Sequence, residues 1–370
     1  MTSVNTKAAA PPIVDSVLRT VGNTPLVRIK NSKGSVKAEV LGKVEGFNPG
    51  HSAKDRVALY MVEKAEKLGK IKKGATIIEA TSGNTGFSLA MVCLLKGYKC
   101  VLTVSSKASD EKLRLLQSMG AEVFICPSSA KPEDPDSYYS VAKQLHSEIP
   151  NSYYLNQNFD EANIEAHYYS TGPEIWEQTE GRITHFVCCV GTGGTISGTS
   201  RYLKEMNPNI QVIGVDAYGS VLKRYWETGE FDEKEIYSYK VEGLGKTIIP
   251  GNVDFDLFDR MIKVHDKDSA IRARDLAQKD GLFVGYSSGA AMQAVHKLKR
   301  ELTKDDVVVV LFSDHGSRYL GKIYSDDWMR DMNFLKKEES YNSYLYRKYK
   351  VRYKRIYNKV NYYINQSLGM

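Results

Sequence analysis

Apolar runs and amphipathic stretches alternate along the chain from about residue 35 to residue 315. The apolar runs predict strands at residues 36–44, 75–80, 100–104, 122–126, 185–190, 211–216, 260–265 and 306–313. The amphipathic stretches predict helices at residues 55–69, 85–97, 109–119, 137–147, 161–178, 197–206, 268–280 and 289–303. Such alternation is typical of parallel sheets covered by helices on both faces. The sequence therefore predicts an α/β fold, and 370 residues are enough for two domains.

The positive charge of the chain is confined to its last segment. Residues 336–370 contain nine Lys or Arg and two Glu, which accounts for the formal net charge of +7. Eight tyrosines lie between residues 341 and 363, and apolar residues recur there at a helical spacing. We interpret residues 331–370 as a basic, Tyr-rich tail that is solvated, and we expect no specific nucleic-acid partner. Contact with an acidic partner, a nucleic acid or a membrane surface remains the alternative.

Several classes of protein do not suit this composition. No segment approaches the ~20 consecutive apolar residues of a membrane-spanning helix, and the first twelve residues lack the apolar stretch of a secretory signal. The five cysteines form no CxxC pair, so we expect buried free thiols and no zinc site. These features favour a cytoplasmic location.

The first motif is Asn48-Pro49-Gly50-His51-Ser52-Ala53-Lys54, a turn that leads into a predicted helix. A Lys at a helix start lies near the positive end of the helix dipole, which disfavours the ammonium form. A neutral amine is what imine chemistry requires. Lys54 is therefore a candidate catalytic residue, although an exposed Lys beginning a helix is the simpler explanation of this segment alone.

Polar and glycine-rich segments follow two of the predicted strands. One is Thr81-Ser82-Gly83-Asn84-Thr85-Gly86, whose backbone N–H groups and hydroxyls could bind a carboxylate at a helix N-terminus. The other consists of Gly191, Thr192, Gly193, Gly194 and Thr195, where glycines allow backbone amides to approach a phosphate closely. A dinucleotide fingerprint would need glycine where Ile196 stands, although Asp216 lies about where a ribose-binding acid would.

The fourth motif is Gly285-Tyr286-Ser287-Ser288-Gly289, which lies between a short apolar run and a predicted helix. Its simplest interpretation makes Ser288 the N-cap of the helix at residues 289–303.

Together the four motifs resemble those of fold-type-II pyridoxal-phosphate enzymes, in the cysteine synthase and cystathionine β-synthase family. The resemblance extends over residues 22–329 and begins with GNTPLVRIK. It implies a two-domain fold like that of the tryptophan synthase β-subunit. The segments VEGLG at residues 241–245 and DDWM at residues 326–329 are more similar to the cystathionine β-synthase catalytic core. Departures from that core include Lys246 and Thr247, which replace an aromatic residue and an acid, and His51, which replaces glycine.

The resemblance assigns roles to individual residues. Lys54 would carry pyridoxal 5'-phosphate as a Schiff base and Asn84 would bond its phenolic oxygen. The loop at residues 191–195 would hold its phosphate, and Ser287 would face the pyridine nitrogen. The substrate would be bound by Thr81, Ser82, Thr85, Gln157 and Gly243.

The implied reaction replaces the β-substituent of serine, or of an O-activated serine, with a thiol through an aminoacrylate intermediate. Serine plus homocysteine to cystathionine is the favoured version, and O-acetylserine plus sulfide to cysteine is the alternative. A catalytically silent binding protein and a nucleotide-dependent dehydrogenase remain further possibilities.

The resemblance also implies the domain organisation. Residues 1–46 and 158–330 would form the larger, cofactor-binding domain, and residues 47–157 a smaller mobile one. The substrates would be a small amino acid and a thiol, and the assembly a homodimer. No haem is expected, because residues 1–35 contain neither Cys nor His.

Overall fold

The computed structural model describes residues 13–81, 83–336 and 340–344. The chain divides between His315 and Gly316 into two units. The strands of the first unit are β1 Leu26–Arg28, β2 Glu39–Val44, β3 Thr76–Ala80, β4 Lys99–Ser105, β5 Ala121–Cys126, β6 Ser152–Tyr154, β7 His185–Cys189, β8 Gln211–Ala217, β9 Arg260–Val264 and β10 Val307–Phe312. They form two separate sheets.

The helices of the first unit are α1 Lys54–Lys67, α2 Asn84–Lys96, α3 Asp110–Ser118, α4 Tyr138–Glu148, α5 Ala162–Tyr168, α6 Thr171–Gln178, α7 Gly194–Met206, α8 Leu222–Thr228, α9 Asp266–Asp280 and α10 Tyr286–Lys297. Short 3-10 turns lie at Val17–Thr20, Glu45–Phe47, Glu233–Glu235 and Phe255–Leu257.

The larger sheet has the order β1-β2-β10-β7-β8-β9, and the smaller sheet has the order β5-β4-β3-β6. All neighbouring strands pair in parallel except β1, which is antiparallel to β2. The predicted parallel α/β fold is therefore confirmed, with an antiparallel strand at one edge.

Helices cover both faces of the smaller sheet. Ile77 packs into a core with Val57 of α1 and Leu89 of α2, while the adjacent Ile78 packs with Ala142 of α4. This alternation follows from the two-residue period of side chains along a strand. The larger sheet has its own core, in which Phe186 of β7 packs among buried side chains that include Val309 and Leu203.

All eight predicted strands form, with boundaries shifted by up to three residues. The strands β1 and β6 were not predicted; each has only three residues and lies at the edge of its sheet. The single helix predicted at residues 161–178 is wrong, because the chain forms α5 and α6 with a break at Tyr169 and Ser170. The Ser170 hydroxyl donates to the carbonyl of Ala166 at 2.5 Å, across this break.

The smaller sheet is built from residues 76–154 and the larger from residues 26–44 and 185–312. These ranges are compatible with the two domains predicted from the sequence, the smaller at residues 47–157 and the larger at residues 1–46 and 158–330. The domain boundaries themselves remain predictions. Among the described residues, no helix has both the length and the apolar character needed to cross a membrane.

The second unit begins with a 3-10 turn at Gly316–Tyr319 and contains α11, Asp326–Asp331, which is capped by the hydroxyl of Ser325. Tyr341 and Tyr344 are buried, and the backbone N–H of Tyr341 donates to Asp326 at 3.4 Å. Our interpretation of the whole tail as solvated is therefore wrong for these two tyrosines. Residues 345–370, with most of the basic charge, lie outside the described residues.

Candidate active site

A cavity of about 360 Å³ lies where β3, β7 and β10 end, at their carboxyl ends. Open parallel sheets bind ligands at this edge. Candidate residues from all four sequence motifs line the cavity: Lys54, Thr81, Asn84, Thr85, Gln157, Gly191, Thr192, Gly193, Thr195, Gly243 and Ser287. Gly194 begins α7 beside them, and Ser82 lies outside the described residues. Side chains that are far apart in sequence thus converge on one cavity.

Lys54 is the first residue of α1. Its turn is docked on the end of β10, because the N–H of Ala53 donates to the carbonyl of Ser313 at 2.8 Å. Burial lowers the pKa of the Lys54 amine to about 8, and the positive charge of Lys246 lowers it further. The sequence also predicted a lowered pKa for this amine, but the main cause of the lowering is burial rather than the helix terminus.

The turn before Lys54 is fixed by Asp55. The buried carboxylate of Asp55 accepts from the N–H of Gly50 at 2.6 Å and from the hydroxyl of Ser88 at 2.5 Å. A Cβ at position 50 would lie 2.3 Å from the Asp55 carboxylate, so a larger residue there would displace that carboxylate from its hydrogen bonds. His51 has a φ of +63°, a left-handed conformation that glycine adopts more readily. That conformation explains the glycine expected at this position.

A buried ion-pair network supports α1 from below. The Arg56 guanidinium bonds Glu45 at 2.7 Å and Glu174 at 2.6 Å, and the Lys43 ammonium bonds Glu174 at 2.6 Å. Burial alone would raise the pKa of Glu45, but Arg56 outweighs it and holds that pKa below its usual value. Thr24, from the GNTP segment, donates its hydroxyl to Glu45 at 2.6 Å. The N-terminal segment is thereby tied to the helix that carries Lys54.

Asn84 is the first residue of α2, and its side-chain amide donates to the carboxylate of Asp314 at 2.8 Å. The hydroxyl of Thr85, one residue later, donates to the side-chain oxygen of Gln157 at 2.7 Å. Thr81, which follows β3, is buried beside the cavity. The predicted carboxylate site therefore combines a helix N-terminus with a hydroxyl and an amide that are already hydrogen-bonded.

Glu79 is a buried acid beneath this site that the sequence analysis did not identify. Its carboxylate accepts from the backbone N–H of Gln157 at 3.2 Å and lies 3.4 Å from the Gln157 side-chain nitrogen. It also accepts from the N–H of Ala80 at 3.1 Å. Burial raises the pKa of Glu79 to about 7 although these hydrogen bonds lower it. Glu79 therefore contacts Gln157 through both the backbone and the side chain of that residue.

The loop at residues 191–195 leads into α7, whose first backbone N–H groups have no partner within the helix. Gly193 has a φ of +94°, and a Cβ there would lie 2.4 Å from the carbonyl oxygen of Asn252. Its glycine is therefore required by conformation and by packing. The hydroxyl of Thr192 accepts from Asn163 at 3.0 Å, and that of Thr195 lies 3.1 Å from the His167 ring nitrogen.

The prediction that Ser288 caps a helix at residues 289–303 is wrong. Helix α10 begins three residues earlier, at Tyr286, with Gly285 as its N-cap and no side-chain capping bond. Ser287 is buried at the cavity wall, and a Cβ built on Gly243 would lie 3.6 Å from its hydroxyl oxygen. Gly243 and Ser287 therefore lie next to each other on the cavity wall.

The hydrogen bonds of Asp216 give this residue a structural role that needs no nucleotide. Its buried carboxylate accepts from the backbone N–H groups of Ala217 at 2.9 Å and Lys223 at 3.0 Å. It therefore secures the turn from β8 into α8. The ribose-binding alternative has no support at this position.

Several residues of the cavity wall were not predicted from the sequence, namely Lys112, Tyr138, Tyr139, Asn158, Cys188, Cys189, Tyr239 and Glu242. Lys246, which departs from the family pattern, also lines the cavity although no site role was predicted for it. All five cysteines are free and buried, as predicted. The described residues contain no group of three or more side chains suited to a metal ion.

Comparison with known proteins places these observations in a family. A family model described as pyridoxal-phosphate dependent enzyme matches residues 17–314. The chain is 43% identical over 326 residues to cystathionine β-synthase from Dictyostelium discoideum, covering 88% of this chain and 65% of that protein. It is 44% identical over 333 residues to cystathionine β-synthase from Mus musculus, covering 90% of this chain and 59% of that protein. It thus spans about three fifths of these relatives' length.

Two further similarities cover shorter proteins more completely. The chain is 37% identical over 329 residues to cysteine synthase 1 from Neurospora crassa, covering 88% of this chain and 87% of that protein. It also matches the crystal structure of a hydrogen sulfide-producing enzyme from Fusobacterium nucleatum with a TM-score of 0.77 and 35% identity. That match covers 83% of this chain and 100% of the other.

Proposed function

The chain belongs to the family of pyridoxal-phosphate dependent enzymes, and from that premise we propose that it replaces the β-substituent of serine or an O-activated serine with a thiol. In the favoured version, the C–O bond at Cβ of serine breaks and a C–S bond to homocysteine forms. The thiol proton leaves in the water released, and the product is cystathionine. Similarity to cystathionine β-synthases over about nine tenths of this chain supports this version.

The cavity fits pyridoxal 5'-phosphate in size and in donor set. About 360 Å³ lies within the range of small-ligand pockets. A phosphate would bind at the glycine loop and the α7 N-terminus, where backbone N–H groups lack helical partners. The cofactor would attach through the Lys54 amine, with Asn84 at its phenolic oxygen. When bound, it supplies an electron sink for charge that develops at the substrate Cα.

Lys54 is the residue on which the proposal chiefly rests. Its amine is enclosed in the cavity and has a pKa of about 8, so a substantial fraction is neutral near pH 8. A neutral amine can act as a nucleophile and can also accept the proton from the substrate Cα. The lowered pKa of this amine, beside a glycine loop at a helix N-terminus, is the single observation that carries the proposal.

The substrate carboxylate would bind where β3 runs into α2. Thr81, Ser82 and Thr85 supply hydroxyls there, and Gln157 supports Thr85 through a 2.7 Å hydrogen bond. Gly243 would leave room for the substrate beside Ser287, since it has no side chain. This arrangement would orient Cα toward the Lys54 amine.

Ser287 would face the pyridine nitrogen of the cofactor. A serine hydroxyl is uncharged and cannot hold a protonated ring nitrogen as a carboxylate can. The charge that develops at Cα would therefore be stabilised less by the ring. Departure of the β-substituent then becomes the favoured route, as a replacement reaction requires.

Cysteine synthesis from O-acetylserine and sulfide is the second candidate. Its support is the Neurospora cysteine synthase, which the chain matches over 87% of that protein's length. Steady-state rates with serine and O-acetylserine, each tested against homocysteine and sulfide, separate the two candidates. A homocysteine-dependent rate with serine is expected; preference for sulfide with O-acetylserine favours the alternative, and no replacement with any pair contradicts both.

We further propose that residues 47–157 form a mobile domain that closes over the substrate, and that the protein is a cytoplasmic homodimer. The cavity wall draws on both sheets, with Ala80 from the smaller and Cys189 from the larger, which suits closure of one against the other. Five free buried thiols suit a reducing compartment. Solution mass and substrate-dependent protection from proteolysis test these points.

A further inference from the structure

Three lysines line the cavity, and they differ in their partners. Lys112 forms an ion pair with Glu242, which is the acid of the cavity wall. Lys54 is the reacting amine. Among the described residues, the side chain of Lys246 has neither a hydrogen-bond nor an ion-pair partner, although it belongs to the cavity wall. Lys246 is therefore a cavity lysine that forms no ion pair with any acid in the described part of the chain.

The backbone fixes the position of Lys246 without involving its side chain. The N–H of Lys246 donates to the hydroxyl of Ser220 at 3.0 Å, and its carbonyl accepts from Val221 at 3.0 Å. The preceding N–H, of Gly245, donates to the carbonyl of Val190 at 2.8 Å. The loop is thus anchored at the ends of β7 and β8. The ammonium group remains available to a ligand.

Lys246 acts electrostatically on the reacting part of the site. Its charge contributes to the lowered pKa of Lys54 and opposes the raised pKa of Glu79. Glu79 is buried beneath the cavity and forms no ion pair with Lys246. An unpaired cation in a partly enclosed site is stabilised when a ligand brings an anion to it.

The two other expected anions have their own binding groups. The cofactor phosphate would bind at the α7 N-terminus, and the carboxylate of the amino-acid substrate at the α2 N-terminus. Lys246 belongs to neither terminus. We propose that Lys246 binds the carboxylate of the incoming thiol, so that a carboxylate-bearing thiol is preferred to a neutral thiol or sulfide. This inference rests on the proposed function and specifies its second substrate.

Three thiols of similar size test this preference on the holoenzyme: 3-mercaptopropionate is anionic, 1-propanethiol neutral and cysteamine cationic. Each is assayed against the amino-acid substrate with the higher rate. The wild type should favour the anionic thiol over the neutral one in kcat/KM, and the neutral one over the cationic one. In Lys246→Gln the ratio of kcat/KM for the anionic thiol to kcat/KM for the neutral thiol should fall by about tenfold or more. This is the effect expected for loss of a hydrogen bond to a charged group.

Two further variants serve as controls. Lys240→Gln removes a charge from an exposed lysine of the same loop that does not line the cavity, and its ratio should match the wild type. Lys246→Arg should keep most of the preference. A ratio unchanged in Lys246→Gln overturns the inference. So does a loss of pyridoxal 5'-phosphate from Lys246→Gln with equal effects on all thiols, because Lys246 would then serve the phosphate.

A binding measurement separates this inference from the proposed function. Calorimetric titration of the holoenzyme with 3-(methylthio)propionate, which has the carboxylate but no thiol, requires no turnover. Affinity should fall about tenfold in Lys246→Gln and not in Lys240→Gln. Absence of any replacement reaction together with this loss would refute the proposed function alone. Equal affinities would refute the role of Lys246 alone.

Discussion

Lys54 and Lys246 line the same cavity but are held by different kinds of contact. The helix that begins at Lys54 is braced by the buried network of Arg56, Glu45 and Glu174, and its turn is fixed by Asp55. The loop that carries Lys246 is held by backbone hydrogen bonds, and among the described residues the Lys246 side chain has neither a hydrogen-bond nor an ion-pair partner. We therefore expect substitutions in the network beneath Lys54 to lower the stability of the fold. A substitution of Lys246, on the proposal above, should change the substrate preference and leave stability unaltered.

The largest effect should come from Lys54→Ala. Removing the amine should lower turnover by at least about 10³-fold, because both attachment of the cofactor and proton transfer at Cα need it. Borohydride reduction followed by peptide mapping should label Lys54 in the wild type and no residue in the variant. Labelling of a different lysine would contradict the proposal that Lys54 carries the cofactor.

Arg56→Met tests whether the support of Lys54 is structural. The variant leaves Glu45 buried without its main partner, so the free energy of unfolding should fall by roughly 3–5 kcal/mol. Arg28→Met is the matched control, because it breaks an exposed pair with Glu39 and should cost less than about 1 kcal/mol. Chemical denaturation of both variants measures the difference. Equal losses would mean that the buried network is no stronger a constraint than a surface pair.

Glu79→Gln should make stability less dependent on pH. Because the folded-state pKa of Glu79 is raised to about 7, its favourable contribution is present below its unfolded pKa near 4.5 and is lost as pH rises through about 7. Between pH 5 and pH 8, unfolding free energy of the wild type should therefore fall relative to that of the variant by roughly 2–3 kcal/mol. Glu111→Gln, at an exposed position, should show no such trend. A pH-independent difference would indicate that Glu79 stays ionised.

Ser287→Asp should change the chemistry of the cofactor that Lys54 would carry. A carboxylate at the ring nitrogen would favour its protonation, so the rate of β-replacement should fall by about tenfold or more and the visible spectrum of the bound cofactor should change. The spectrum and the replacement rate are measured on the same sample. If neither changes, Ser287 does not face the pyridine.

The smallest effect on catalysis should come from truncation after residue 344. Every candidate site residue precedes this cut, and the buried Tyr341 and Tyr344 are kept. The shortened chain should retain activity within about twofold and lose all of its formal net charge of +7, with any salt-sensitive binding to anionic surfaces. Activity, melting temperature and solution mass are compared for both chains. Loss of both activity and oligomer would make the tail an assembly element.

Local sequence patterns predicted the helices and strands in which apolar residues recur over several helical turns or strand periods. The strand at residues 75–80 and the helix from residue 55 differ from β3 and α1 by one or two residues. The three-residue strands β1 and β6 are too short to show a period, and they form because a longer strand is beside them. The break between α5 and α6 interrupts a pattern that looks continuous in sequence.

By itself the sequence determined the alternating α/β order, the glycine-rich turns and the four motifs, because hydrophobic period and backbone conformation depend on near neighbours. The resemblance then gave Lys54, Asn84, Ser287 and the loop at residues 191–195 as candidate site residues. Only the tertiary structure decided which charges are neutralised. Asn84 meets Asp314 across 230 positions of sequence. That the Lys246 ammonium has no partner among the residues the structure describes is evident only once the whole cavity is assembled. Burial and charge pairing are properties of the packed chain, so no local pattern encodes them.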